Sequence, residues 1–157
     1  MSATRPFATA GIAAALSLLA ACAAPAQKSA PCKRPADLTG YDRALVDAPC
    51  SGLGVLAARP DLRWRATPLP ELQLALLRAA IERTRTGGTV VYSVCTINAA
   101  ESEDVVDAVV ADGTVALDRT LAEEWPQYRH RHRPEFLQTL PHLHGTSGFF
   151  VARLIVV

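Results

Sequence analysis

The sequence predicts an α/β fold built on a parallel strand pair. Two stretches, Ala44 to Cys50 and Thr89 to Cys95, each read as a buried strand that stops at its cysteine, and one stretch of helical periodicity lies between them. A strand–helix–strand unit crosses over with a right hand, so the two runs are expected to lie parallel and adjacent. Neighbouring strands are ~4.8 Å apart. Cys50 and Cys95 then sit at the same ends of adjacent strands, facing the crevice where open α/β sheets bind ligands.

The chain of 157 residues has length for about one domain. Its net charge of +1 excludes a global field toward nucleic acid or acidic membranes, so any nucleic-acid contact must come from a local patch. The four cysteines, at 22, 32, 50 and 95, form no C-x-x-C pair. They suit reduced thiols of a cytosolic α/β protein better than a disulfide scaffold.

Residues 1–40 differ in kind from the rest and read as a leader. Arg5 precedes an apolar run from Ala8 to Ala24, which fits the h-region of a secretory signal and is short for a membrane span. Leu19-Ala20-Ala21-Cys22 also resembles a lipoprotein cleavage box, with export through lipidated Cys22 as its consequence. Alternatively, residues 22–29 are the turn after a first strand, Ile12 to Ala21. A cofactor loop there needs glycines for close backbone approach, and Ala26 and Gln27 occupy those places. A disordered leader is the third reading.

From Tyr41 onward the signals are stronger. Leu45-Val46 is a strand ending at Asp47, and Pro49, Gly52 and Gly54 make the following turn. Arg59, Arg63 and Arg65 form a basic loop with Trp64. The guanidinium groups suit phosphate, and the indole either stacks on a base or anchors the loop on the core. Thr67 is expected to cap the next helix, with Pro68 at its first position. Leu69, Leu72, Leu76, Ala79 and Arg83 follow helical spacing, Leu74, Leu77 and Ile81 widen the apolar face, and Gly87-Gly88 ends the helix. After Cys95, Asn98 caps a further helix through a capping box with Glu101, and Val105, Val106, Val109 and Val110 form its buried side. Glu101 and Glu103 complement its dipole. Val115 to Leu117 is a short strand, and Gly148 to Val157 a last one that extends the sheet at one edge. The polar run Arg129 to Arg133 reads as a solvated loop or a phosphate contact. His142 and His144 lack partners for a metal site.

A cysteine at a strand's carboxyl end near a helix start tends toward a lowered pKa and a nucleophilic thiolate. Asp47 brings a carboxyl group to the same crevice. Thiolate, carboxyl and second thiol suit methylation of carbon 5 of cytosine, where a thiolate first adds to carbon 6. From spacing alone, however, two buried cysteines read as inert packing.

The flanking residues carry the decision. Asp47-Ala48-Pro49-Cys50-Ser51-Gly52-Leu53-Gly54, Arg59-Pro60-Asp61, Gln73, Gly87-Gly88, Val91-Tyr92-Ser93-Val94-Cys95-Thr96-Ile97 and Glu101-Ser102-Glu103 resemble the RsmB/NOP/Sun family of RNA cytosine-5 methyltransferases. Leu140 to Arg153, with Leu-Pro-His-Leu-His-Gly-Thr-Ser-Gly-Phe-Phe-Val-Ala-Arg, resembles the closing segment of its bacterial 16S ribosomal RNA branch. The resemblance implies Cys95 as nucleophile, Cys50 as the thiol assisting release, and Asp47 in contact with donor and cytosine. It implies a Rossmann-like sheet binding S-adenosylmethionine, with Cys22, Ala23, Ala24, Pro25 and Lys28 as the counterpart of the family's glycine-rich motif. It implies RNA, of the ribosomal kind, as substrate and a cytoplasmic location.

Only residues 29–45 separate that motif from the first cysteine strand, where the family has two further strands. The implied sheet is therefore truncated at its N-terminal half, with 41–157 a partial catalytic domain, Ser102 in place of Asn and Ser147 in place of Asp. A complementing polypeptide and a non-catalytic fragment follow as expectations beside the exported lipoprotein.

Overall fold

A computed structural model describes residues 38–157, so Cys22, Ala23, Ala24, Pro25 and Lys28 lie outside the described residues, as do the export and cofactor-loop readings of the leader. The first strand, β1 (Tyr41–Asp47), is followed by a turn and the short helix α1 (Leu62–Arg65). Helix α2 (Pro70–Arg83) leads directly into β2 (Thr84–Val94), and β1 and β2 pair in parallel, as the crossover argument requires. Helix α3 (Glu103–Ala111), β3 (Val115–Leu117), α4 (Leu121–Glu124), β4 (Leu137–Thr139), α5 (Pro141–His144) and β5 (Phe149–Val156) complete the order. The sheet runs β1-β2-β5-β3, with β4 also on β5. Antiparallel β5 occupies the middle of the sheet and not the edge expected of the last strand, because both of its sides are paired: β2 lies along one, and β4 and β3 share the other.

Strand alternation divides the sheet into two unlike faces. Val46, Ala48, Val90, Tyr92, Val94, Phe150, Ala152, Leu154 and Val156 point into one core with Leu77 and Ile81 of α2 and Val105, Val106 and Val109 of α3. The alternate positions make the other face. There Arg43, Leu45 and Asp47 are exposed, Leu45 to 71%, while Val91, Ser93 and Cys95 are half-buried. At the far side of that face Val151 packs on a small cluster of Leu121, Ala122 and Leu137.

Three local expectations are corrected. The helix does not start at Thr67-Pro68. Pro70 takes its first turn, and the residue before the helix, Leu69, has no side-chain cap and gives its N–H to the remote carboxylate of Glu101 at 3.0 Å. The helix ends at Arg83 rather than at Gly87-Gly88, because Thr84 already pairs with Tyr41 and its hydroxyl turns back to the carbonyl of Ala80 at 2.8 Å. The next β1 pair is Arg43 with Thr89, so the two glycines lie in a bulge. Gly87 has φ +74°, and a Cβ on Gly88 would stand 2.5 Å from the Thr84 methyl. Finally, the buried stripe of α2 is Gln73, Leu77 and Ile81, whereas Leu72 and Leu76 face outward.

Leu77→Ala is therefore expected to cost about 2–5 kcal/mol in denaturant unfolding, and Leu72→Ala less than about 0.5 kcal/mol, as for surface positions generally. Equal losses would reverse the assignment of the helix faces.

Candidate active site

Parallel pairing of β1 with β2 carries the two cysteine turns to one end of the sheet. The ladder continues one step past β1, where Ala48 N–H donates to Ser93 O at 3.1 Å. Beyond it the turns meet: Cys50 Sγ lies 3.3 Å from Cys95 Sγ, and both thiols are half-buried and unbridged. Ser51 Oγ and Thr96 Oγ1, the hydroxyls following each cysteine, are 2.9 Å apart and buried. Gly54 N–H donates to Cys95 O at 3.0 Å, and Gly148 N–H to Gly54 O at 2.7 Å. This clip depends on glycine, since a Cβ on Gly54 would fall 2.0 Å from the Gly148 carbonyl oxygen. An open groove of about 540 Å³ lined by Gly54, Ala57, Pro141, Gly145, Thr146 and Ser147 lies beside the clip, and neither thiol lines it.

The electrostatics of the site bear on Cys50. Burial, then the contact with Cys95, pushes the Cys50 thiol up to about 12. Cys50 therefore keeps its proton at neutral pH. Asp47 is exposed at the carboxyl end of β1, opposite Ser93, and among the described residues it makes no hydrogen bond to either sulfur. The structure brings the two thiols together and leaves Asp47 exposed on the open face of the sheet.

The basic segments separate. Arg59 is held by Asp61 through two 2.9 Å hydrogen bonds, and Arg65 lies 3.9 Å from the same carboxylate. Arg63 and Arg65 are exposed, and Trp64 is 85% exposed, which removes the core-anchor alternative for its indole. The run Arg129 to Arg133 is largely occupied within the protein. Arg133 pairs with Asp107 and Glu135 and lies over the Phe136 ring, and buried His130 meets Glu103 at 2.9 Å. His144 folds back on its own turn, where its Nδ1 accepts from Leu140 N–H.

One residue of the site was misassigned from sequence. Glu101 is not a capping-box carboxylate. Asn98 Oδ1 accepts from Ala100 N–H in a single 3-10 turn, Ala99–Glu101, and α3 begins only at Glu103. Glu101 is instead fully buried, and its Oε1 accepts from Ser51 N–H at 2.9 Å, Leu69 N–H at 3.0 Å and Gln73 Nε2 at 3.0 Å. Burial raises its pKa, but these hydrogen bonds outweigh burial and hold the carboxyl below its usual range. Neither Gln73 nor Glu101 shows this role locally, because their partners are 24 to 50 residues away.

Comparison with known proteins gives a consistent family. A family model described as 16S rRNA methyltransferase RsmB/F matches residues 28–155. The chain is 45% identical over 130 residues to a probable ribosomal RNA small subunit methyltransferase B of Synechocystis sp., covering 78% of this chain and 28% of that protein. It is 37% identical over 124 residues to its Bacillus subtilis namesake, covering 73% and 27%. The chain thus spans about a quarter of the length of the curated relatives it matches. Among solved structures, NSun6 from Pyrococcus horikoshii with SFG superposes with a TM-score of 0.65 at 33% identity, covering 78% of this chain and 32% of that one. A methyltransferase homolog from the same organism gives 0.60 at 26% identity, covering 76% and 40%. These likenesses make the sheet part of a Rossmann-like methyltransferase fold.

The raised Cys50 pKa sets a pH dependence. Between about 9, the ordinary value, and about 12 the unfolded chain has lost this proton and the folded one retains it. The folded state thus binds more protons, and stability falls as pH rises through that window. Cys50→Ala is expected to flatten this fall in urea midpoints measured from pH 9 to 11; an unchanged slope would refute the assignment.

Proposed function

The chain belongs to the 16S rRNA methyltransferase RsmB/F family, and we propose that residues 41–157 carry the catalytic thiols of an S-adenosylmethionine-dependent RNA cytosine-5 methyltransferase acting on ribosomal RNA. The observation that supports this most is the 3.3 Å approach of Cys50 and Cys95 at the end of a parallel strand pair. Two inert core cysteines would have no reason to meet at the mouth of the sheet, beside a basic loop with an outward Trp64. Arg59, Arg63 and Arg65 supply the phosphate contacts in this reading, with Trp64 as a stacking surface.

Cys95 is the attacking group. An electron pair of its sulfur forms the bond to carbon 6 of cytosine, and the displaced π pair makes carbon 5 nucleophilic. S-adenosylmethionine supplies the methyl group when bound. After a base removes the carbon-5 proton, the C–H electrons restore the ring double bond and the C6–S bond breaks, returning Cys95 as thiolate. Cys50 is suited to that release. Because it holds its proton, its S–H can donate to the Cys95 sulfur across 3.3 Å and stabilise the leaving thiolate.

Donor binding rests on fewer residues. The exposed Asp47 carboxylate at the end of β1 fits an acceptor for the donor's polar groups, and a neighbour solved with SFG, an S-adenosylmethionine analogue, supports the same cofactor. Cys22, Ala23, Ala24, Pro25 and Lys28 join it by resemblance, but Ala26 and Gln27 carry Cβ atoms where backbone must approach a ligand closely. Among the described residues no strand pairs with the outer edge of β1. In our reading a complementing polypeptide pairs there and completes the donor site.

RNA containing 5-azacytidine is expected to form a covalent adduct with the protein, visible as a denaturation-resistant gel shift. The adduct disappears in Cys95→Ala and accumulates in Cys50→Ala; an adduct that survives Cys95→Ala would sink the proposal. In calorimetry the chain alone is expected to bind S-adenosylmethionine more weakly than ~1 mM, and micromolar affinity would remove the need for a complementing polypeptide.

A further inference from the structure

Cys50 is gripped through both of its peptide bonds. The Pro49 carbonyl, on one side, accepts from Gln73 Nε2 at 2.9 Å. The Ser51 N–H, on the other, donates to Glu101 Oε1 at 2.9 Å. Gln73 Nε2 also donates to that oxygen at 3.0 Å, so the two grips are joined. The Glu101 backbone is in turn tied to β2, because Tyr92 Oη donates to its carbonyl at 2.7 Å, three residues before Cys95. Glu101 therefore links the strand that leads to one thiol, through its backbone carbonyl, to the turn that carries the other, through its carboxylate.

Two features argue that this arrangement is not merely a convenient fold contact. First, three N–H donors converge on one oxygen of a fully buried side chain, a demand that an ionised carboxylate meets best. Second, Gln73 Oε1 is buried and has no hydrogen-bond partner. Such an orphan is destabilising. An apolar residue would avoid that cost, so the value of Gln73 lies in its amide donor, which reaches Pro49 and Glu101.

We propose that Glu101, together with Gln73, is a positioning residue that holds the Pro49–Gly52 turn so that the Cys50 thiol stays packed against Cys95. It acts through the turn and touches no reacting atom. The inference rests on the reading of the two thiols given above.

The test is the rate of Cys50 alkylation by iodoacetamide at neutral pH, followed by mass spectrometry of the Cys50 and Cys95 peptides in the full chain. Glu101→Gln keeps the size of the side chain but replaces the charge and turns an amide donor toward Asn98 Nδ2, which lies 3.5 Å from Glu101 Oε2. Gln73→Met removes both grips of Gln73 and the orphan oxygen together. Val109→Ala, on the buried side of α3, is the control for stability loss away from the turn. Both site variants are expected to raise Cys50 alkylation about tenfold or more, the change in thiolate fraction for one unit of pKa, with Val109→Ala staying near wild type. A wild-type rate in folded Gln73→Met, or an equal rise in Val109→Ala, overturns the proposal; should Glu101→Gln not fold, Gln73→Met decides alone. The assay contains neither RNA nor donor. A missing azacytidine adduct with the alkylation difference intact would therefore overturn methyl transfer and leave the positioning role standing.

Discussion

The buried Glu101 carboxylate is the constraint on which the site depends. The turn after β1 and the residues preceding α2 leave backbone N–H groups pointing inward, and a buried donor must find an acceptor. One oxygen serves Ser51, Leu69 and the Gln73 amide at once. That single acceptor joins the start of α2, the Cys50 turn and the Ala99–Glu101 turn. The ionised form is retained in a fully buried position because these donors replace the water it loses.

Around this anchor the sheet supplies direction. Its core face is sealed by α2 and α3, and its other face opens at β1, where Leu45 and Asp47 are exposed. The thiols lie at the boundary between the sealed and open regions, which is why both are half-buried. This partial burial supplies the desolvation that pushes the Cys50 thiol up. Antiparallel β5 in the middle of the sheet brings Gly148 to Gly54 and braces the turn from the far side.

Charge is partitioned along the chain in a way that net charge hides. Arg133 and His130 bind Asp107, Glu135 and Glu103 and knit the loop before β4 onto α3. Arg153 likewise spans Asp118 and Glu124. In the outward segment Arg59 to Arg65, Asp61 is the one acidic partner among the described residues. The exposed basic side chains of α1 therefore stand apart from the longer run at 129–133, where Arg133 and His130 are paired within the protein.

Much of this was legible in the residue order. Alternating apolar residues marked β2, β3 and β5, Pro49 and Gly52 marked the turn, and the β1–α2–β2 connection placed Cys50 beside Cys95 because a short crossover leaves little other choice. The face of α2 was not legible, since Leu69, Leu72, Leu74, Leu76 and Leu77 offer an apolar stripe in more than one direction and only the sheet selects Gln73, Leu77 and Ile81. The start of α2, the bulge at Gly87-Gly88 and the role of Glu101 were likewise decided by partners brought from far along the chain. Local pattern determines which segments become strands and helices, because it reflects the backbone's own periodicity. Where a buried carboxylate finds its donors, and hence how two thiols are aimed, is settled only when separate segments must satisfy one another's hydrogen bonds in the absence of water.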